Sequence, residues 1–254
     1  MRKLACGDMS VIIGKDTAQM AAKAAEDFAE SVRMLLSSHA DLNVIFSGAE
    51  SQGAFHAALC ARRDIAWNRL NAFAVDEFYA PGIPVQYTIC AQPRRDLYSH
   101  VHFKSVNIIS HAPKDVETER KRYEALIDKH LPHICCLGLG ISGHLALNEP
   151  GSTDFHDTQR VRLVKICDAS KQQLMQDPNF QKLGTIPDSG LTITLPTLMS
   201  ARVVMAVVPY AIKADVIAEF WKAKVSPEFP ASILKTKTGS KLYLDSDSFS
   251  KVGK

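Results

Sequence analysis

The sequence predicts an α/β chain with a mainly parallel, doubly wound sheet. Three observations predict it. Short apolar runs alternate with longer stretches of helical periodicity along the whole chain. Several runs, such as Ile134-Cys135-Cys136-Leu137 and Val203 to Val208, are uniformly apolar, the mark of strands buried on both faces. Three of the runs lead into polar loops equipped for chemistry, as expected where parallel strands share one carboxyl edge.

The elements follow in order. Val11 to Ile13 is the first strand, and Asp16 or Thr17 caps the helix after it. Ala21, Ala24, Ala25, Phe28, Val32, Leu35 and Leu36 then recur at helical spacing and form one apolar stripe. Leu42 to Phe46 is the next strand, followed by the loop Ser47-Gly48-Ala49-Glu50-Ser51 and a helix to about Arg62. Asn71 to Val75 is a third strand with Asp76-Glu77 at its carboxyl end. Pro81 to Pro84 marks a loop, Tyr87 to Tyr98 reads as helical, and Val106 to Ile109 as a strand. Asp115 to His130 is a charged amphipathic helix whose inner face is Val116, Tyr123, Leu126 and Ile127. The strand Ile134 to Leu137 follows. Val161 to Ile166, Gly190 to Ile193, Val203 to Val208 and Lys241 to Leu244 complete the strands, with helices near Ser170 to Gln176 and Ala211 to Lys222. No linker, repeat or low-complexity tract interrupts the pattern, so a single domain over residues 1–254 is expected.

Composition narrows the function. A chain of 254 residues with 46% apolar and 22% charged residues has an ordinary globular balance. A net charge of +3 is too small to argue for a nucleic acid or membrane partner. The six cysteines contain no Cys-x-x-Cys pair and fit neither a zinc site nor a disulfide scaffold, which points to a reduced compartment. Lys3-Leu4-Ala5-Cys6-Gly7 lacks the apolar stretch of a secretory signal, and no run approaches the ~20 apolar residues of a membrane span. A cytoplasmic protein is expected.

The most informative segment is Gly138 to Ser152. Three glycines within six residues permit positive φ and close backbone approach to a ligand. The imidazole of His144 and the carboxylate of Glu149 follow at once. Glu149 can orient the ring through one nitrogen and leave the other for proton transfer. Ser47, Gly48 and Ser51 resemble a phosphate cradle at a helix start, although Ser-Gly is also an ordinary turn and Glu50 would repel an anion. Of Asp76 and Glu77, one can face the crevice as a general base while the other is a cap or ion-pair partner; two solvated acids are the plainer reading. Lys213 can supply a cation to the same edge, or stand as a surface lysine. His144 itself can be a satisfied core histidine, but a glycine turn at a strand end favours function.

Gly140-Ile141-Ser142-Gly143-His144-Leu145-Ala146-Leu147-Asn148-Glu149-Pro150-Gly151-Ser152 resembles the signature of the glucosamine-6-phosphate deaminases, or isomerases, and their galactosamine-6-phosphate relatives. Val75-Asp76-Glu77-Phe78-Tyr79, Gln86-Tyr87 and Pro230-Ala231-Ser232-Ile233-Leu234 are similar to further segments of that family, in the same order. The related phosphogluconolactonases share the glycine-His loop but not Asn148-Glu149-Pro150. The resemblance implies a three-layer α/β/α sandwich with a mainly parallel doubly wound sheet, and conversion of a 2-amino-2-deoxyhexose 6-phosphate to the 2-keto sugar phosphate plus ammonia, with no metal and no cofactor. By position it implies that His144 opens the pyranose ring, Glu149 polarises that imidazole, and Asp76 moves a proton from C2 to C1. Ser47, Gly48, Ser51, Gly143 and Lys213 would bind the substrate, and Ser142 would join the catalytic group. The partner is then a small sugar phosphate, with no nucleic acid and no membrane, and self-association is left open.

The chain departs from the family pattern in places. Ser142 stands where an aspartate usually precedes Gly-His, Ala49-Glu50-Ser51-Gln52 alters the phosphate loop, and Lys235-Thr236 replaces a customary Gln-Leu-His run. Another sugar-phosphate isomerase or lactonase, or a non-catalytic sugar-phosphate sensor, therefore stands as the alternative.

Overall fold

The structure is a computed structural model that describes residues 1–176 and 178–253. Its centre is an eight-stranded sheet in the order β1-β2-β11-β10-β7-β3-β4-β6. The strands are β1 (Arg2–Cys6), β2 (Met9–Ile13), β3 (Leu42–Phe46), β4 (Leu70–Ala74), β6 (Ser105–Asn107), β7 (Ile134–Leu137), β10 (Val203–Val208) and β11 (Lys241–Leu244). Every neighbouring pair is parallel except β1 with β2. The chain runs outward from β3 through β4 to β6, returns to β7 on the other side of β3, and continues outward to β10 and β11. The carboxyl ends of β3 and β7 therefore flank a switch point, where the two following loops diverge and open a crevice.

Apolar cores lie on both faces of this sheet. On one, helix α1 (Thr17–Leu36) and α2 (Gly53–Cys60) pack Met20, Ala24, Phe28, Phe55 and Leu59 against Val44, Phe46, Cys136 and Tyr243. On the other, α4 (Val116–Lys129), α7 (Leu195–Met199) and α8 (Ala214–Lys222) pack Tyr123, Ile127, Leu198, Ile217 and Phe220 against Ile45, Phe73, Cys135 and Leu242. Cys135 and Cys136 thus serve opposite cores, as strand alternation requires. Burial of a side chain such as Phe28, which is fully enclosed, contributes about 1.5–3 kcal/mol. Asp16 caps α1 by accepting from the Gln19 N–H at 2.8 Å, and Asp115 caps α4 by accepting from Thr118 N–H at 2.8 Å.

The expectation that all later strands join the parallel sheet needs correction. β5 (Asp76–Tyr79), β8 (Val161–Lys165) and β9 (Ser189–Ile193) form a separate antiparallel sheet, ordered β5-β9-β8. After β4 the chain gives one residue to the turn, Val75, and enters this second sheet at Asp76. Asp76-Glu77 therefore starts a strand of the second sheet, one residue beyond the end of β4. In β8 Val161 and Val164 are buried while Leu163 and Lys165 are exposed, so this strand is only partly covered, as an antiparallel sheet tolerates.

Smaller differences lie at the ends and turns. β1 was not expected, because its half-exposed Arg-Lys-Leu-Ala-Cys carries no clear periodicity. The helical stretch after Tyr87 begins only at Ala91, as α3 (Ala91–Pro93), and continues in a wider turn over Arg94–Tyr98. Helix α5 (Asp168–Gln176) starts two residues earlier than its periodicity suggests, and α6 (Pro178–Leu183) follows it. Among the described residues no helix is long and apolar enough to cross a membrane.

Candidate active site

A cavity of about 440 Å³ opens beyond the carboxyl ends of the central strands, with a smaller compartment of about 130 Å³ beside it. Asp76, His144, Gly48, Ser51 and Lys213 line both. Ser47 lines the smaller compartment and Glu149 the larger. The loops after β3, β4, β7 and β10 thus meet in one place.

The loop after β7 is built around His144. Its Nδ1 lies 2.7 Å from Ser142 Oγ, 3.1 Å from Glu149 Oε2 and 3.3 Å from Ser170 Oγ. Ser142 also donates to Glu149 Oε2 at 3.0 Å, and the Cys167 thiol donates to the same oxygen at 3.2 Å. Glu149 is 1% exposed. Burial opposes its ionisation, but the contacts with His144, Ser170 and Cys167 outweigh it and hold the carboxyl at about 2. An ionised carboxylate can only accept, so Nδ1 carries the hydrogen and Nε2 is left for chemistry. Glu149 Oε1 is buried without a hydrogen-bond partner among the described residues.

The glycines of this loop act by two different means. Gly143 has φ +82°, a conformation that favours glycine, and a side chain there would strike the Phe229 ring. Gly140 has an ordinary backbone, but a Cβ would lie 1.9 Å from His144 Nε2. The missing side chain at Gly140 is what gives the imidazole its place. Asn148 ties the loop to β9 by donating to the Leu145 and Ile193 carbonyls, both at 2.9 Å. The segment Pro230 to Leu234 supports it from below, through Ala231 N–H to the Gly143 carbonyl at 2.8 Å.

Asp76 and Glu77 point to opposite sides of β5, and the structure separates their surroundings. Asp76 is 6% exposed, lines the cavity, and its carboxyl makes no hydrogen bond among the described residues. Burial, then the charges of Glu77 and Glu149, push its pKa well above the carboxylate range. Glu77 is wholly buried and accepts from three backbone N–H groups: Phe78 and Ile89 at 2.8 Å and Cys90 at 3.0 Å. It anchors the segment that forms the cavity's outer wall.

The loop after β3 turns sharply at Gly48, where a Cβ would lie 2.4 Å from the Ile89 carbonyl oxygen. Gly138 donates to Ser47 Oγ at 3.3 Å, and Gln92 Oε1 accepts from the Ala49 N–H at 3.2 Å. Gln92 in turn lies 3.1 Å from Nδ1 of His56, whose burial lowers its pKa to about 4 and keeps the ring neutral. Glu50 turns outward at the rim and pairs with Arg95 at 3.0 Å. Lys213 follows Tyr210, a residue with φ +80°, and is buried rather than a surface lysine. Burial lowers its pKa to about 8, and it has no ion-pair partner among the described residues. Such a cation, beside Ser47, Gly48 and Ser51, can receive an anion.

Sequence reasoning missed Ser170, Cys167, Gln92 and Arg95. The first two begin α5, and a cysteine and serine after a strand end gave the only signal. Gln92 and Arg95 lie in a stretch read only as helical, with no functional signal of its own. Among the described residues no group of three or more His, Cys, Asp or Glu side chains is placed to hold a metal ion.

Residues 15–243 match the model of the family described as glucosamine-6-phosphate isomerases/6-phosphogluconolactonase. A glucosamine-6-phosphate deaminase of Bacillus cereus (strain G9842) is 27% identical over 157 residues, which cover 62% of this chain and 58% of that protein. The match thus spans under two thirds of that relative's length. A deaminase of the same description from Oceanobacillus iheyensis is 26% identical over 204 residues, 78% of this chain and 80% of its own. Among solved structures, a monomeric glucosamine-6-phosphate deaminase superposes with a TM-score of 0.81 at 20% identity, covering 95% of this chain and 99% of that one. The 6-phosphogluconolactonase of Thermotoga maritima gives 0.72 at 17% identity, covering 92% and 98%. The shared architecture extends across both activities, and the matched residues include every loop of the cavity. The chain belongs to the glucosamine-6-phosphate isomerase/6-phosphogluconolactonase family.

Proposed function

We propose that the protein is an amino-sugar-phosphate deaminase, which converts a 2-amino-2-deoxyhexose 6-phosphate and water to the ketohexose 6-phosphate and ammonia. The observation that carries this is the pairing of two proton-transfer groups across one cavity. An imidazole with a free Nε2, His144, faces it together with the buried carboxyl of Asp76, which is raised in pKa and free of hydrogen bonds among the described residues. A base above the usual carboxylate range suits removal of a proton from carbon next to a carbonyl or iminium group.

In this reading the phosphate sits against Lys213, Ser47, Gly48 and Ser51, while Gly143, which lines neither compartment, shapes the His144 loop rather than touching the sugar. His144 transfers a proton at the ring oxygen and opens the pyranose, while Glu149 and Ser142 hold its Nδ1 side. Asp76 takes the proton from C2 of the open chain and returns it at C1, through an enolamine. Water then adds at C2 of the resulting imine, and ammonia leaves. The reaction is a hydrolysis of a carbon–nitrogen bond, and this chain's residues supply its proton transfers.

The test is release of ammonia and ketose phosphate from glucosamine 6-phosphate and galactosamine 6-phosphate by the purified protein. Asp76→Asn is expected to abolish exchange of the C2 proton with solvent deuterium, followed by NMR, with phosphate-ester affinity changed less than threefold. Wild-type exchange in that variant removes Asp76 from this role. Hydrolysis of 6-phosphogluconolactone without ammonia release assigns the site to the family's other activity. Ligand-induced stabilisation with no turnover at all makes the protein a sensor.

A further inference from the structure

We propose that Cys167 and Ser170, at the start of α5, are positioning residues that lock the ionised Glu149 carboxylate against the His144 imidazole. The proposal rests on the deaminase reading for its kinetic arm, but its structural arm stands apart from it.

The hydrogen bonds around Glu149 are lopsided. Oε2 collects His144 Nδ1, Ser142 Oγ and Cys167 Sγ at 3.0–3.2 Å, while Oε1 is buried with no partner among the described residues. A carboxylate can turn about its terminal bond. With Oε1 unanchored, the donors on Oε2 alone hold the plane of the carboxylate against the imidazole. Ser142 and His144 belong to the same loop as Glu149 and move with it. Cys167 and Ser170 come from another element, carried on the antiparallel sheet beyond β8.

Both side chains are committed to this cluster. Among the described residues the Cys167 thiol donates to Glu149 at 3.2 Å and to Ser170 Oγ at 3.5 Å, and the Ser170 hydroxyl sits 3.3 Å from His144 Nδ1. Ser170 is buried yet lines the cavity, as does Leu174 one turn further along α5. The thiol fixes the carboxylate, the hydroxyl closes the third side of Nδ1, and the position of α5 becomes coupled to the orientation of the ring. Neither residue reaches Nε2, where the proton transfer takes place, so each acts through the Glu149–His144 pair.

The experiment compares Cys167→Ala and Ser170→Ala with the conservative Cys167→Ser and Ser170→Thr. Each alanine variant is expected to lower kcat on amino-sugar 6-phosphates by roughly tenfold, the scale of one hydrogen bond to a charged group. KM should stay within about twofold, because the cation and loop that receive the phosphate are untouched. Cys167→Ser keeps a donor to Glu149 and Ser170→Thr keeps the hydroxyl beside Nδ1, and both should recover most of the rate. In ligand-free protein, the ¹⁵N resonances of the His144 ring should shift in the alanine variants and return in the conservative ones. Unchanged ring resonances in both alanine variants overturn the proposal. So does a loss of kcat that tracks a falling melting temperature and is not rescued by the conservative changes. Should no amino sugar turn over in the wild type, the deaminase reading fails, and the ¹⁵N measurement still decides this one.

Discussion

At the scale of single residues, the site is assembled from groups that the fold would be more stable without. Lys213 is the clearest. Its fall from 10.5 to about 8 on burial is a penalty on the charged form of about 3 kcal/mol. The sign follows from proton counting. Between about pH 8 and 10.5 the unfolded chain holds this proton and the folded chain has released it, so stability rises with pH across that window. Below pH 8 both states are charged and the penalty is present in full. Lys213→Met is therefore expected to raise the unfolding free energy at pH 7 by about 1–3 kcal/mol and to remove the gain between pH 8 and 10.5. The same variant should raise KM for phosphorylated ligands at least tenfold. Urea denaturation at the two pH values, with steady-state kinetics, checks both; a destabilised variant means that a partner compensates the charge. Lys213 was legible as a cation at the right sheet edge, because it follows an apolar strand by five residues. Its burial was not legible, since that depends on the strained turn at Tyr210 and on loops more than 100 residues away.

At the scale of elements, the second sheet decides how the acidic pair divides its work. Adjacent residues in a strand face opposite ways, so entering β5 at Asp76 sends one carboxyl to the cavity and the other inward. Two neighbouring acids made a division between a cavity-facing carboxyl and an inward anchor readable; which acid takes which place required β5. The sequence hid that sheet for a physical reason. Leu191 and Ile193 are apolar enough to read as a parallel strand, and β8, with the buried Val161 and Val164 on opposite faces, carries no alternation to argue otherwise. Glu77 then anchors the outer wall, and its replacement gives an element-level prediction. Glu77→Gln must present an amide where one of three backbone N–H groups now finds an oxygen. The expected loss is about 1–3 kcal/mol, or a melting temperature lower by several degrees. Amide exchange at Ile89 and Cys90 should accelerate selectively, and activity should fall because the Ile89 carbonyl no longer closes over Gly48. Unaltered exchange at those two amides means that the wall is held by other contacts.

At the scale of the whole molecule, the cavity draws on loops from residue 47 to residue 213, yet the chain after it is also needed. β11 inserts between β2 and β10 and brings Asp245 to the carboxyl edge beside the Lys213 turn. Asp245 is buried and accepts from Thr17 Oγ1 at 2.6 Å, from Ser248 N–H at 2.8 Å and from Tyr210 N–H at 3.0 Å. One carboxylate thus joins the start of α1, the final turn and the strained residue before Lys213. A positive φ at tyrosine costs on the order of 1–3 kcal/mol and persists only where its surroundings impose it. Asp245→Ala is accordingly expected to lose about 2–4 kcal/mol of stability and to let the turn relax. KM for the phosphate ester should then rise more than kcat falls, the reverse of the pattern expected for Cys167 and Ser170, because in the proposed reading Lys213 binds and does not react. The pH dependence gives an independent check. Burial opposes ionisation of Asp245, but its donors prevail and hold the carboxyl below the usual range. A depressed carboxyl stabilises the fold above its unfolded value of 3.8 and loses that contribution as pH falls through the folded value. The stability gap between wild type and Asp245→Ala should be widest near pH 7 and narrow below pH 3.8. A gap that stays constant through that range means the side chain holds the turn by packing alone, without its charge.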